Sequence, residues 1–266
     1  RVNSMKRKGK TMKSLDHLTK PHTLNNKVEH LNVSTLVDNN NVAIVTLNRS
    51  RKRNAINSKM WKEIEYVFSR IGRLGDGCRV VLLLGAGESF CSGIDIMDPV
   101  FQMPPSDDVA RRAISFKPKI LEMQRCLTEI EKCPVPVICA MHGFCVGAGI
   151  DMSCCANIRL CSANTTFSIR EVRVGLAADV GTLQRFPKIV GHSSRVRELC
   201  LSGRDFDAQE AYRIGFVSRV VTDDLWHDAL GLCCEIALLS PVAVTVTKNS
   251  LNYSRDHSVE EGLEQI

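Results

Sequence analysis

Val137-Ile-Cys-Ala-Met-His-Gly-Phe-Cys-Val-Gly-Ala-Gly-Ile-Asp151 passes from an apolar run into a glycine-rich turn and then into a short helix opening near Ile150. The unbroken apolar run from Val137 to Met141 suits a strand buried on both faces, because a half-exposed strand would alternate. The same order occurs earlier in the chain. Arg79–Leu84 is a continuous apolar strand that runs into Gly85-Ala-Gly-Glu-Ser-Phe-Cys-Ser-Gly-Ile-Asp-Ile96. Such strands, alternating with helices along the chain, predict an α/β fold with parallel pairing.

The segments around these runs agree. Val42–Leu47 reads as a third buried strand by its density of β-branched residues. Asn48–Asn54 is a basic, polar loop. Asn57 or Ser58 can cap a helix whose apolar residues Met60, Trp61, Ile64, Val67, Phe68 and Ile71 recur at three and four, and Gly75–Gly77 stops it. Residues 98–108, with Pro99, Pro104, Pro105, Asp107 and Asp108, read as a loop. An amphipathic helix follows through Ile120, Met123, Leu127 and Ile130, ended by Pro134-Val-Pro136. Ile158–Cys161 and Thr166–Ile169 are short strands. From Thr182 onward the pattern is mostly helical, apart from an apolar stretch at Phe216–Val221.

At 266 residues, 44% of them hydrophobic, the chain has material for one large domain or for one with an appendage. Its charged fraction of 24% excludes collagen-like and fully disordered classes. No apolar run approaches the roughly 18 residues of a membrane-spanning helix. The expected organisation is a basic, flexible arm over 1–30, an α/β core over 31–222 and the start of a helical C-terminal region over 223–266.

The net charge of +6 suggests nucleic acid until it is located. Residues 1–30 hold eight Lys/Arg and two acids, and the remaining 27 basic and 27 acidic residues cancel. The basicity therefore belongs to the arm (Lys6, Arg7, Lys8, Lys10, Lys13), and no nucleic-acid partner is expected. The chain opens on Arg1 rather than Met. Its basic, acid-poor beginning reads either as a solvated arm or as the remnant of an organelle-targeting segment.

Twelve cysteines include no C-x-x-C and no pair in zinc spacing. They fall mostly in apolar periodic segments, as reduced thiols acting as small hydrophobes do. No metal site is expected. No G-x-G-x-x-G follows the first strand and no P-loop exists, so the nucleotide folds lack their phosphate cradle.

Glycines at strand ends let backbone N–H groups approach a ligand closely, and two convergent donors would stabilise a developing oxyanion. Either turn could equally owe its glycines to backbone geometry. Two acids sharpen the picture. Glu171 and Asp179 enclose an apolar stretch interrupted only by Arg173, and a carboxyl among apolar neighbours has its pKa raised towards the range useful for proton transfer. Read from the string alone, Asp179 could instead cap a helix at Thr182, and Glu171 could pair with Arg170 or Arg173.

Together these residues resemble the enoyl-CoA hydratase/isomerase (crotonase) superfamily. The resemblance covers about residues 34–266. It is carried in order by Leu47-Asn-Arg through Arg53-Asn-Ala-Ile-Asn57, Phe90-Cys-Ser-Gly-Ile-Asp95, Pro136-Val-Ile-Cys-Ala-Met-His-Gly through Gly147-Ala-Gly, and Glu171 with Gly175 and Gly181-Thr-Leu-Gln-Arg185. Within it the chain is most similar to the Δ(3,5)-Δ(2,4)-dienoyl-CoA isomerases. The pointed match is Glu171-Val-x-Val-Gly-Leu-Ala-Ala-Asp-Val-Gly-Thr-Leu-Gln-Arg185, since most hydratases carry glycine where Asp179 stands. Asp151, where hydratases usually present glutamate, agrees. So do Ser240-Pro-Val-Ala-Val and Tyr253-Ser-Arg-Asp-His-Ser-Val259.

The resemblance implies a crotonase-like α/β spiral of repeated ββα units with a helical C-terminal region. It also implies that the chain stops before members of the family usually do. The implied activity shifts the double bonds of a 3,5-dienoyl-CoA to the 2,4 positions during β-oxidation, in the mitochondrial matrix or peroxisome. Glu171 would take the C2 proton, Asp179 would serve C6, and Asp151 would assist. The backbone N–H groups of Ile94 and Ala148 would form the oxyanion hole. Arg53, Ala55, Gly93, Asp95, Ile96, Met97 and Gly149 would bind substrate and its CoA moiety. No cofactor is implied beyond the acyl-CoA substrate, and the assembly would be a homo-trimer or a dimer of trimers. Ala148 replaces the middle glycine of the usual three, and Ser92 stands where alanine is commoner. Cys91 and Cys145 flank the proposed donors without a His–carboxylate set to make them nucleophiles, and His142 reads as a packed turn histidine. The competing readings are a hydratase or a Δ3-Δ2 isomerase, against which Asp179 counts, and a non-catalytic or RNA-binding relative that uses the basic arm.

Overall fold

The computed structural model describes residues 18–37, 41–73, 77–99 and 108–265. The basic cluster Lys6–Lys13, the stop expected at Gly75, and Pro104, Pro105 and Asp107 lie outside the described residues.

The main sheet begins with β1 (Thr19–Pro21), β2 (Leu31–Leu36) and β3 (Val42–Leu47), paired antiparallel in that order. It continues in parallel through β4 (Val80–Gly85), β5 (Val137–Met141), β7 (Ile158–Ser162) and β10 (Arg219–Val221). A smaller sheet joins β6 (Phe144–Val146), β8 (Thr166–Ser168) and β9 (Asp205–Asp207). Every residue of β3, β4 and β5 is buried. Their unbroken apolar runs are accounted for by helices on both faces.

Val45, Leu47, Val81, Leu83, Cys139 and Met141 point into one core, packed with α1 (Ser58–Phe68) and α2 (Val109–Lys132). Asn57 caps α1 by accepting the Met60 N–H at 3.0 Å. Val42, Ile44, Leu82, Ile138, Ala140 and Leu160 point to the other face, which Leu225, Trp226, Ala229 and Cys233 of α7 (Leu225–Ala237) cover. The first C-terminal helix is therefore part of the core. Beyond it lie α8 (Pro241–Ser254) and α9 (Val259–Glu264).

The expectation of a flexible arm over 1–30 is corrected for residues 18–30. His22 donates its N–H to the Val33 carbonyl, and Asn25 Oδ1 accepts the Val33 N–H at 2.8 Å. Leu24 and Val28 pack on the core. The buried Glu63 carboxylate accepts the N–H groups of Glu29, His30 and Leu31 at 2.8–3.1 Å. Short strands among polar residues give a weak periodic signal, and Glu63 sits within a helix pattern. Neither advertises this pairing.

Candidate active site

β4 and β5 lie side by side, and the two glycine-bearing turns leave their carboxyl ends, where ligands of parallel sheets bind. The turns are stitched together. Phe90 N–H donates to the His142 carbonyl, Cys91 N–H to Phe144, and Val146 N–H back to Cys91 at 3.0 Å. Ile56 N–H reaches the Gly93 carbonyl and Asp95 N–H the Ile56 carbonyl, which ties in the loop before α1. Gly93 and Gly147 then turn the chain with φ of 99° and 55°. A Cβ on Gly93 would stand 3.3 Å from the Val146 carbonyl oxygen, so the turns approach as closely as glycine permits.

This pairing leaves two amides over. The N–H groups of Ile94 and of Ala148, first residue of α3 (Ala148–Cys154), have no acceptor among the described residues, and both residues line one cavity. The cavity is about 180 Å³ and is walled by Phe116, Ile120 and Met123 of α2 and by Leu176, Ala177 and Val180 of the turn before α4 (Thr182–Ile189). Glu171, Asp151 and Asp179 also line it.

Glu171 opens a one-turn 3₁₀ helix, Glu171–Val174, and its Oε2 is buried with no hydrogen-bond partner among the described residues. Burial pushes its carboxyl up to about 7, reinforced by the charge of Asp151. Asp151, on α3, is 1% exposed, and burial raises it to about 6 although the Thr182 amide and hydroxyl pull it down. Burial raises Asp179 as well. Gln124 Nε2 holds the Asp179 main-chain carbonyl at 2.6 Å.

The simpler roles open to these acids are already taken. Gly181, not Asp179, precedes α4, and the first amide of that helix donates to Asp151 Oδ1 at 2.6 Å. Arg170 pairs with Asp205, and Arg173 Nε donates to the Ser202 carbonyl. Among the described residues no group of three or more His, Cys, Asp or Glu is placed to hold a metal ion.

Gly93 and Ile96 line the cavity beside these groups, whereas Arg53, Ala55, Asp95, Met97 and Gly149 do not. Asp95 is paired with Arg49 at 2.9 Å, and Arg49 also reaches the Ala55 carbonyl. Arg53, in the left-handed region at φ 47°, lays its guanidinium 5.5 Å from the Phe144 ring centroid. Ile96 and Met97 are exposed at 67% and 73%, open to whatever binds at the mouth. Gly149 serves packing: a Cβ there would stand 3.0 Å from that of Cys91.

Cys91 is fully buried with its thiol pushed up to about 12, and burial raises Cys145 also, which keeps both thiols protonated. No disulfide joins the twelve cysteines among the described residues. His142 is packed edge-on against Trp226, with Nε2 2.9 Å from the Gly87 carbonyl.

Sequence reasoning missed Asn54. Fully buried at φ 55°, its side chain accepts the Arg49 N–H and donates to the Ala86 and Ser89 carbonyls at 2.8–2.9 Å. An asparagine in a polar loop was the only available sign. Phe116 and Thr182 were missed too.

The Enoyl-CoA hydratase/isomerase family model matches residues 37–265. The chain belongs to the enoyl-CoA hydratase/isomerase family. It is 47% identical over 226 residues to the mitochondrial Δ(3,5)-Δ(2,4)-dienoyl-CoA isomerase of Rattus norvegicus, covering 84% of this chain and 69% of that protein. To the peroxisomal Δ(3,5)-Δ(2,4)-dienoyl-CoA isomerase of Arabidopsis thaliana it is 39% identical over 225 residues, covering 83% and 80%. Among solved structures, a putative enoyl-CoA hydratase from Thermobifida fusca in complex with acetoacetyl-CoA superposes with a TM-score of 0.77 at 27% identity, covering 92% of this chain and 94% of that one. The crotonase-like fold implied by the resemblance is thus the fold of the family.

Proposed function

We propose that this protein is a Δ(3,5)-Δ(2,4)-dienoyl-CoA isomerase of fatty-acid oxidation, and that Glu171 and Asp179 carry its two proton transfers. Ionised Glu171 takes the C2 proton of a 3,5-dienoyl-CoA. The electron pair so released spreads into the thioester, and the Ile94 and Ala148 N–H groups meet the developing oxyanion. Asp179 delivers a proton to C6, the electron pair closes C2=C3 and C4=C5, and 2,4-dienoyl-CoA leaves. Glu171 then holds a proton and Asp179 lacks one, and exchange with solvent resets them. Asp151 acts on both through its charge.

What carries this reading is that two carboxyls with raised pKa share one apolar cavity with two unpaired main-chain donors. A single hydratase-like acid would have to span from C2 to C6. The reaction moves protons and a π system and calls for no redox cofactor. The Arg49–Ala55 loop and the exposed Ile96 and Met97 would meet the CoA moiety. Arg53 there offers a charge to a phosphate, while Asp95 contributes by holding Arg49. The rat and Arabidopsis relatives are named mitochondrial and peroxisomal, and one of these compartments is the setting of the reaction. Assembly as a trimer or a dimer of trimers belongs to the same reading, and light scattering on the purified protein measures it.

The test is turnover of a 3,5-dienoyl-CoA, followed by the absorbance of the diene conjugated to the thioester. Appearance of that absorbance, with no comparable hydration of a 2-enoyl-CoA, supports the isomerase. Hydration of the 2-enoyl-CoA with the 3,5-diene left untouched would make the protein a hydratase.

A further inference from the structure

Thr182 is fully buried, and its Oγ1 has no aligned hydrogen-bond partner among the described residues. Buried hydroxyls are almost always partnered, so an orphan of this kind asks what it serves. Its own amide donates to Asp151 Oδ1 at 2.6 Å, and its hydroxyl lies close enough to the same carboxylate to favour the charged form. We propose that Thr182 is a positioning residue of this site, whose hydroxyl turns to join its amide on Asp151 and fixes Asp151 as the ionised member of the Asp151–Glu171 pair.

The surroundings make Asp151 the group so held. Gly181, at φ 143°, brings the chain between Asp151 and Arg185; a Cβ there would collide with the guanidinium and stand 4.0 Å from Asp151 Oδ1. Arg185 is itself committed to Glu131 of α2 at 2.9 Å and to Thr128 Oγ1 at 3.1 Å, so it lends Asp151 only a distant positive field. From the turn before α4, Asp179 and Glu171 face Asp151 as like charges. The thiols of Cys91, Cys154 and Cys155 beside it are held neutral by burial. Thr182 therefore supplies the short-range donors that make a buried negative charge tolerable at this position.

The consequence for the reaction has a counter-intuitive sign. Without the hydroxyl, Asp151 retains its proton to higher pH. Glu171 then loses a negative neighbour and ionises more readily, because the two acids titrate as a pair. The inference rests on the proton-transfer reading given above. It is tested by pH profiles of kcat/KM with a 3,5-dienoyl-CoA for wild type, Thr182→Val, Thr182→Ala and Thr182→Ser.

The expected result is that the limb set by Glu171 is displaced to lower pH by about half a unit or more in Thr182→Val and Thr182→Ala, and returned to the wild-type position by Thr182→Ser. If Thr182→Val does not fold, as judged by circular dichroism, Thr182→Ala carries the same comparison. A lowered kcat with that limb unmoved, or moved upward, would overturn the positioning role and leave the isomerase reading standing. Absence of turnover in the wild type itself would instead remove the isomerase reading, and the positioning role with it.

Discussion

A Cβ placed on Gly147 would stand 3.4 Å from Oε1 of Glu171 and 3.6 Å from the Cα of Gly93. The base and both turns thus converge on a residue that has no side chain and a φ of 55°. Gly147→Ala must strain the backbone and crowd the carboxylate together. The expected loss is about 10²-fold in kcat, the scale on which small misplacements of reacting groups act. Steady-state kinetics beside a thermal melt separates this from unfolding.

Glu171→Gln removes the base and keeps its shape. The expected fall in kcat is about 10³-fold, within the range for loss of a general base, with acyl-CoA affinity by calorimetry changed little. Equal losses in affinity and in kcat would mean that Glu171 binds substrate rather than moving its proton.

The pH dependence follows from the same carboxyl. Its pKa rises from 4.5 to about 7, and the base must be ionised while Asp179 keeps its proton, so kcat/KM describes a bell with pH, one limb of which is set by Glu171 near 7. Stability runs the other way. A carboxyl that binds its proton more tightly when folded stabilises fully below pH 4.5, and that contribution is lost as pH rises through about 7. Denaturant melts should therefore find Glu171→Gln more stable than wild type at pH 8 by on the order of 2 kcal/mol, with the gain vanishing near pH 4.

Much of this arrangement was legible because it is built from local signals. Unbroken runs such as Val80–Leu84 and Val137–Met141 can only be buried strands, and glycines at their ends mark the turns. Glu171 and Asp179 stood out because carboxyls among Val, Leu and Ala need a reason. What stayed hidden depends on contacts distant in sequence. Glu63 binding the amides before β2 and Asp151 receiving the first amide of α4 leave no periodic trace. Asp95 is held by an ion pair with Arg49, a pairing between side chains 46 positions apart that no string reveals.

Asn54 illustrates the same limit and is testable. It is fully buried, left-handed, and makes three hydrogen bonds across two loops. Asn54→Ala would leave the Ala86 and Ser89 carbonyls and the Arg49 amide without partners. The expected destabilisation is about 2–4 kcal/mol in denaturant melts, since each buried group left unpaired costs about 1–3 kcal/mol and relaxation recovers part.

The central claim is that one carboxyl takes a proton from C2 and a second, separate carboxyl delivers one to C6 of the same acyl chain. It is tested most directly by a single turnover of 3,5-dienoyl-CoA in deuterium oxide, with the label located in the product by NMR. The account predicts one deuterium at C6 of the 2,4-dienoyl-CoA, and no product from Asp179→Asn, which keeps its acyl-CoA affinity. Protium carried intact from C2 to C6, or unimpaired turnover by Asp179→Asn, would contradict it.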